Sequence, residues 1–278
     1  MRLSRFTTTA CFMVVTLGLL ETSVGEVAVL KPKDEADFKP YAASVFIANF
    51  SPDNRYLVLS GGIPKTGLPK ILVRIFTWPG KELQYETPNF IGRNDVLLFS
   101  PDGKQFVMLD DRGLGNLVDV ASGEFFVLKA DDDNFRLRPS STFTGSAAYT
   151  PDGKIVTLLT GKVLVGFSTE KGERIFQVGV GAKEKPWSHL WLPDGNQIVL
   201  GDDKGRIWIW DVKQEITVKE LRPAAEEEQA IFEMKLSPDG RSLVCSVRNQ
   251  LLFYDLETWE LTCTLDFKHS SRLFTFLP

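Results

Sequence analysis

Two His and three Cys in 278 residues leave few groups suited to nucleophilic or metal chemistry, so the acidic residues come first. Asp131-Asp132-Asp133 offers adjacent carboxylates of the kind that ligate calcium. It lacks the alternating Asp spacing and the distal Glu of a calcium loop, and so reads as a solvated acidic loop. Asp202-Asp203 stands before Lys204-Gly205, which is turn chemistry. Glu226-Glu227-Glu228 is a charge run suited to a solvated connector. His189 sits in the short run Ser188 to Leu192, where packing or a local hydrogen bond is favoured over general-base work. There is no G-x-S-x-G elbow, no phosphate-cradling Gly loop and no His pair at metal spacing. Trp208 and Trp210 fall on one face of a strand and are expected in the core rather than on a ligand platform. The sequence nominates no catalytic residue, no metal site and no cofactor.

What must position any site is a folded chain: 43% of residues are hydrophobic, 24% charged and 11% aromatic. That balance argues against disorder and against a membrane bundle. A net charge of −4 gives no basic field for nucleic acid. Three Cys argue against a disulfide-dense scaffold and a Cys/His zinc site.

Residues 1–25 have the pattern of a signal peptide. Arg2 and Arg5 precede the uncharged run Phe6 to Leu20, and small residues stand at Ser23 and Gly25. The run is shorter than the roughly 20 residues that span a bilayer. Cleavage before Glu26 is expected, with no membrane span afterwards and an extracytoplasmic (periplasmic or secreted) mature chain. Residues 26–41 are an N-terminal extension.

From residue 42 to 278 the chain repeats. Ser51-Pro52-Asp53-Asn54 recurs as Ser100-Pro101-Asp102-Gly103, Thr150-Pro151-Asp152-Gly153, Leu192-Pro193-Asp194-Gly195 and Ser237-Pro238-Asp239-Gly240. The Asp-to-Asp spacings are 49, 50, 42 and 45 residues. Pro presets φ, Asp bonds the local backbone, and Gly or Asn accepts positive φ, so each copy closes a hairpin. Apolar runs before and after every turn, followed by two more, give four short strands per unit. The predicted fold is therefore all-β: a β-propeller of four-stranded blades, with five recognisable blades and, at Arg272 to Pro278, the first strand of a sixth.

Arg206-Ile207-Trp208-Ile209-Trp210-Asp211 resembles the signature strand of the WD-repeat propeller family, and Phe253-Tyr254-Asp255-Leu256 and Leu117-Val118-Asp119-Val120 resemble weakened copies. The family's Gly-His pair is missing from every unit, so its Asp–His–Ser–Trp relay within blades is not expected. Trp191-Leu192-Pro193-Asp194-Gly195 is similar to the Tol-type periplasmic repeat, a second reading. The resemblance implies a seven-bladed ring, of which this chain is expected to be an incomplete part. The alternative is a short ring closed by Val27 to Leu30.

In such a blade the loops between strands two and three, and from strand four to the next blade, share one end. All notable insertions fall there: Gly61 to Lys70, Lys129 to Gly145, Gly179 to Trp187 and Arg222 to Ala230. Variable loops on a rigid scaffold carry function, which makes Lys65, Leu68, Phe135, Arg136, Arg138 and Trp187 the candidate binding residues. The function expected from the resemblance, and from the missing catalytic groups, is an exported protein-interaction or scaffold module whose partner is a protein. The alternative is a hydrolase, lyase or ligand sensor with its site at the mouth of the ring. Cys245 and Cys263, on strands two and four of the fifth unit, are expected to stay unpaired, being separated by about 10 Å against a disulfide reach of about 7 Å.

Overall fold

A computed structural model describes residues 45–63, 70–86, 90–91, 94–110, 115–128, 147–180, 186–221, 230–267 and 274. All the regular structure described is strand, arranged as five antiparallel sheets. The first holds β1 (Val45–Phe50), β2 (Tyr56–Ile63), β3 (Lys70–Thr77) and β4 (Leu83–Glu86), with the short β5 (Phe90–Ile91) also paired to β3. The second holds β6 (Asn94–Phe99), β7 (Gln105–Asp110), β8 (Gly115–Asp119) and β9 (Phe125–Val127). The third holds β10 (Ala147–Tyr149), β11 (Ile155–Thr160), β12 (Val163–Ser168) and β13 (Arg174–Gly179). The fourth holds β14 (Pro186–Trp191), β15 (Gln197–Asp202), β16 (Ile207–Asp211) and β17 (Ile216–Leu221). The fifth holds β18 (Ile231–Leu236), β19 (Ser242–Val247), β20 (Gln250–Asp255) and β21 (Leu261–Asp266).

Each sheet is ordered as its strands follow in sequence, the blade pattern that the repeat predicts. The enlarged first unit departs in detail. Residues at both ends of the Gly61 to Lys70 insert are strand, with Ile63 paired to Lys70, so the insert lengthens a hairpin. The expected leader 1–25 and extension 26–41 lie outside the described residues. Among those described, no helix is long and apolar enough to cross a membrane.

The turns form as their residues require. Asn54, Gly103, Gly153, Gly195 and Gly240 all have positive φ, between 57° and 70°. In four turns the carboxylate accepts a hydroxyl hydrogen bond: Ser51 to Asp53, Ser100 to Asp102, Thr150 to Asp152 and Ser237 to Asp239. The fourth unit has Leu192 in the hydroxyl position, and Asp194 accepts the Asn196 and Gln197 amides instead.

The Ser51 hydroxyl pulls the Asp53 carboxyl down to about 2 against the cost of burial, with the Arg55 amide and guanidinium adding to it. Asp102, Asp152 and Asp239 are lowered as well; at Asp102 burial works the other way and is outweighed by the bonds from Ser100 and Lys104. These groups bind protons less tightly folded than unfolded, so their contribution is whole above about pH 4 and is lost as pH falls through the folded values toward 2. The thermal midpoint should therefore drop as pH falls from 4 to 2, with a smaller drop in Ser51→Ala. An identical drop in that variant would show that the hydroxyl bond does not set the carboxyl's acidity.

The first strands of successive sheets lie side by side, β1 by β6, β6 by β10, β10 by β14 and β14 by β18. The core is built at these seams. The residue five after the turn Asp faces the following sheet, and those five and three before it face the preceding one. Val58 thus meets Leu97 and Phe99, Val107 meets Ala147 and Tyr149, and Val199 meets Met234 and Leu236. At the third seam Leu159 and Leu164 pack with Trp191, Trp208 and Trp210, so both strand tryptophans are core, as expected. The last strands are the wet outer edges, where Leu83, Phe125, Phe126, Val127, Ile216, Val218 and Leu261 are exposed.

Cys245 on β19 pairs with Leu252, whereas Cys263 on β21 pairs with Phe253. Leu252 and Phe253 are neighbours on β20 and point to opposite faces, so the two thiols lie on opposite sides of the sheet. Both are free, Cys245 buried and Cys263 exposed.

Candidate functional site

Of the six candidate binding residues, Lys65, Leu68, Phe135, Arg136 and Arg138 lie outside the described residues. Trp187 is described, and not as a loop residue. It belongs to β14, at a bulge between Pro186 and Ser188. Its half-buried ring meets Phe232 of β18 edge-on, with centroids 6.0 Å apart and planes at 65°. The extra residue of a bulge re-aims its side chain, and here that turns Trp187 onto the fifth sheet.

The same end of the fourth sheet carries the β15–β16 turn, because Pro186 pairs with Asp202. Asp202 is fully buried and organises that turn. Its Oδ1 accepts the Lys204 amide at 2.9 Å and the Arg206 amide at 2.8 Å, and its Oδ2 accepts Arg206 Nε at 2.7 Å. Burial raises the carboxyl's pKa, the two amides oppose it, and the neighbouring Asp203 charge adds to the rise. The turn reading of Asp202-Asp203 holds. The sequence gives no sign that one carboxylate is buried and the other exposed.

A second polar cluster, unforeseen as a cluster, lies inside the third seam. Thr157 of β11 donates to the Ala148 carbonyl at 2.9 Å and accepts Trp191 Nε1 at 2.9 Å. His189 Nε2 lies 2.9 Å from the same oxygen. A hydroxyl has one hydrogen and two lone pairs. With its hydrogen on Ala148 and one lone pair on Trp191, Thr157 takes a hydrogen from His189, which assigns the Nε2–H tautomer. His189 is 2% exposed, which fits the packing reading, but its bond is not local: it reaches Thr157, 32 residues earlier on the neighbouring sheet. The available sequence signal was positional: Thr157 stands where the other units have Val58, Val107, Val199 and Val244.

Among the described residues no group of three or more His, Cys, Asp or Glu is placed to hold a metal. Asp131 to Asp133 lie outside them. No family model matches the chain. It is similar to the COMPASS component SWD2 of Saccharomyces cerevisiae, with 28% identity over 140 residues, 46% of this chain and 41% of that protein. The chain thus matches less than half the length of that curated relative. Five repeated four-stranded antiparallel sheets, with this likeness beside them, fit a WD-like propeller.

Proposed function

We propose that the chain is an exported propeller scaffold that binds a protein partner and catalyses no reaction, with the loop-bearing end as its contact surface. The observation that carries this reading is the contrast between the two ends of the sheets. At one end the five Pro-Asp turns are near-copies, and their polar groups are used within each turn, as in the Ser100–Asp102–Lys104 set. The other end carries features that do not recur among the described units: a lengthened β2–β3 hairpin in the first, the Asp202–Arg206 turn in the fourth, and the Trp187–Phe232 contact between the fourth and fifth. Individual recognition needs surface individual to this protein. The likeness to a protein named as a component of an assembly supports a binding role.

The test starts with intact-mass analysis of exported material, which should lack residues 1–25. A partner captured from the same fraction is then titrated against Phe135→Ala, Arg138→Ala, Lys104→Ala and Lys154→Ala. Aromatic and Arg side chains dominate hot spots, so the first two should weaken binding by about 2 kcal/mol or more, and the turn-end pair by far less. Trp187→Ala also loses the Phe232 contact and is interpreted only with a stability measurement. Equal affinity across the four would overturn the choice of end. Turnover abolished by a single loop-end Asp substitution would overturn the non-enzymatic reading.

A further inference from the structure

The fifth sheet holds, on the face away from the fourth, a clasp made for one residue. Glu233 and Lys235 are two apart on β18 and so share a face. They pair at 3.2 Å, with the Glu233 side chain 7% exposed. Glu233 Oε2 accepts the Phe274 backbone N–H at 2.9 Å, while Lys235 Nζ donates to the Phe274 carbonyl. Both polar groups of one residue's backbone are thus read by opposite charges, bonds of the stronger, charge-assisted kind. The Phe274 ring, 8% exposed, packs on Val244 and Leu251, with Lys235 Nζ 5.3 Å from its centroid.

The placement follows the rule of the other seams. Phe274 stands four residues before Pro278, as Leu97, Ala147, His189 and Met234 stand before the Pro of their own turns. Val244 beneath it corresponds to Val58 beneath Leu97. Lys235 reaches the Phe274 carbonyl as Asn49, at the same place in β1, reaches the Leu97 carbonyl at 3.2 Å. What differs is the charge. The two positions held by Glu233 and Lys235 are Ile47 and Asn49, Val96 and Leu98, Ser146 and Ala148, and Ser188 and Leu190 in the other units.

We propose that Glu233, Lys235 and the floor of Val244 and Leu251 form a docking site for a single aromatic residue, that Phe274 of the same chain is its resident occupant, and that a peptide of the same chemistry can replace it. Recognition by main-chain bonds, with a pocket for one side chain, is how strand addition combines affinity with selectivity. The site is separate from the loop-end contact surface and does not depend on it.

The probe is a fluorescent peptide of residues 271–278, added to the full chain. Phe274→Ala empties the pocket and should bind the peptide at least about tenfold more tightly than the wild type, whose site is filled. Adding Glu233→Met and Lys235→Met should abolish that gain, and a peptide with Ala in place of its first Phe should not bind. Amide exchange at Phe274 in the intact wild type supplies a measurement that needs no pocket variant. It should be protected, and Glu233→Met should speed it by about tenfold or more. Binding unaffected by the two Met substitutions, absence of peptide binding to Phe274→Ala, or unprotected exchange in the wild type would each overturn the proposal. Wild-type dimers that dissociate when Phe274 is changed would overturn cis occupancy.

Discussion

Trp210→Ala lowers the free energy of unfolding by about 3–5 kcal/mol, the range for deleting a buried aromatic. Trp210 is 1% exposed and lies on β16, paired with Ile198 on one side and Thr217 on the other. Its ring is shared between two sheets, with Leu159 and Leu164 from the third and Trp208, Ile198 and Leu200 from the fourth. The cavity therefore opens at a seam between rigid sheets, where neighbouring strands held in hydrogen-bonded register have little room to collapse. Urea unfolding measures the effect as a lower midpoint at unchanged slope. Trp210→Phe keeps most of the apolar volume and should cost far less. A loss below about 1 kcal/mol for the Ala variant would mean that the third seam is not packed as described.

Thr157→Val, the swap with the smallest change of shape, should cost about 2–4 kcal/mol because it removes the acceptor shared by two buried donors. Trp191 Nε1 and His189 Nε2 both point at that oxygen. Val is the residue at this position in the other four units, so consensus alone suggests a gain. The seam decides otherwise. The triple variant Thr157→Val, His189→Leu, Trp191→Phe rebuilds the set found at the first seam, Val58 with Leu97 and Phe99. It should recover much of the loss, and the comparison with single variants measures the coupling. If Thr157→Val is as stable as the wild type, the hydroxyl is not the hub of that cluster.

What the sequence reveals is what its residues settle among near neighbours. A Pro-Asp-Gly turn and the strands beside it depend on φ preferences and on bonds that span a few residues. All five such turns, and four strands in each unit, were therefore legible. The Trp208 and Trp210 side chains were legible as core because two-residue periodicity puts both on one face. The rest depends on partners about a unit away. Thr157 meets residues 32 and 34 positions later, and Glu233 meets one 41 positions later. No local pattern marks such pairs unless the units are first aligned with one another. Trp187 ended a stretch with no strand signal of its own, and a bulge with Phe232 beyond it placed the residue in β14. The insert after Gly61 held Gly, Pro and Lys, and so gave no hint that its ends would extend β2 and β3.

The successive turns also touch. A methyl group added at Gly103 would lie 3.4 Å from Pro52 Cδ, and one at Gly153 would lie 3.5 Å from Pro101 Cδ, whereas at Gly240 it would meet nothing within 4 Å. Distances of 3.4 Å and more are ordinary van der Waals contact, so at all three positions it is the positive φ, and not a neighbour's ring, that favours glycine. Asn accepts positive φ, as Asn54 already does at 57°, so positions 103, 153 and 240, with φ of 70°, 70° and 67°, are each open to the same exchange. The turn signature along such a chain then records a backbone angle and not crowding, and a repeat can fade from view through Gly-to-Asn exchange while every turn keeps its shape.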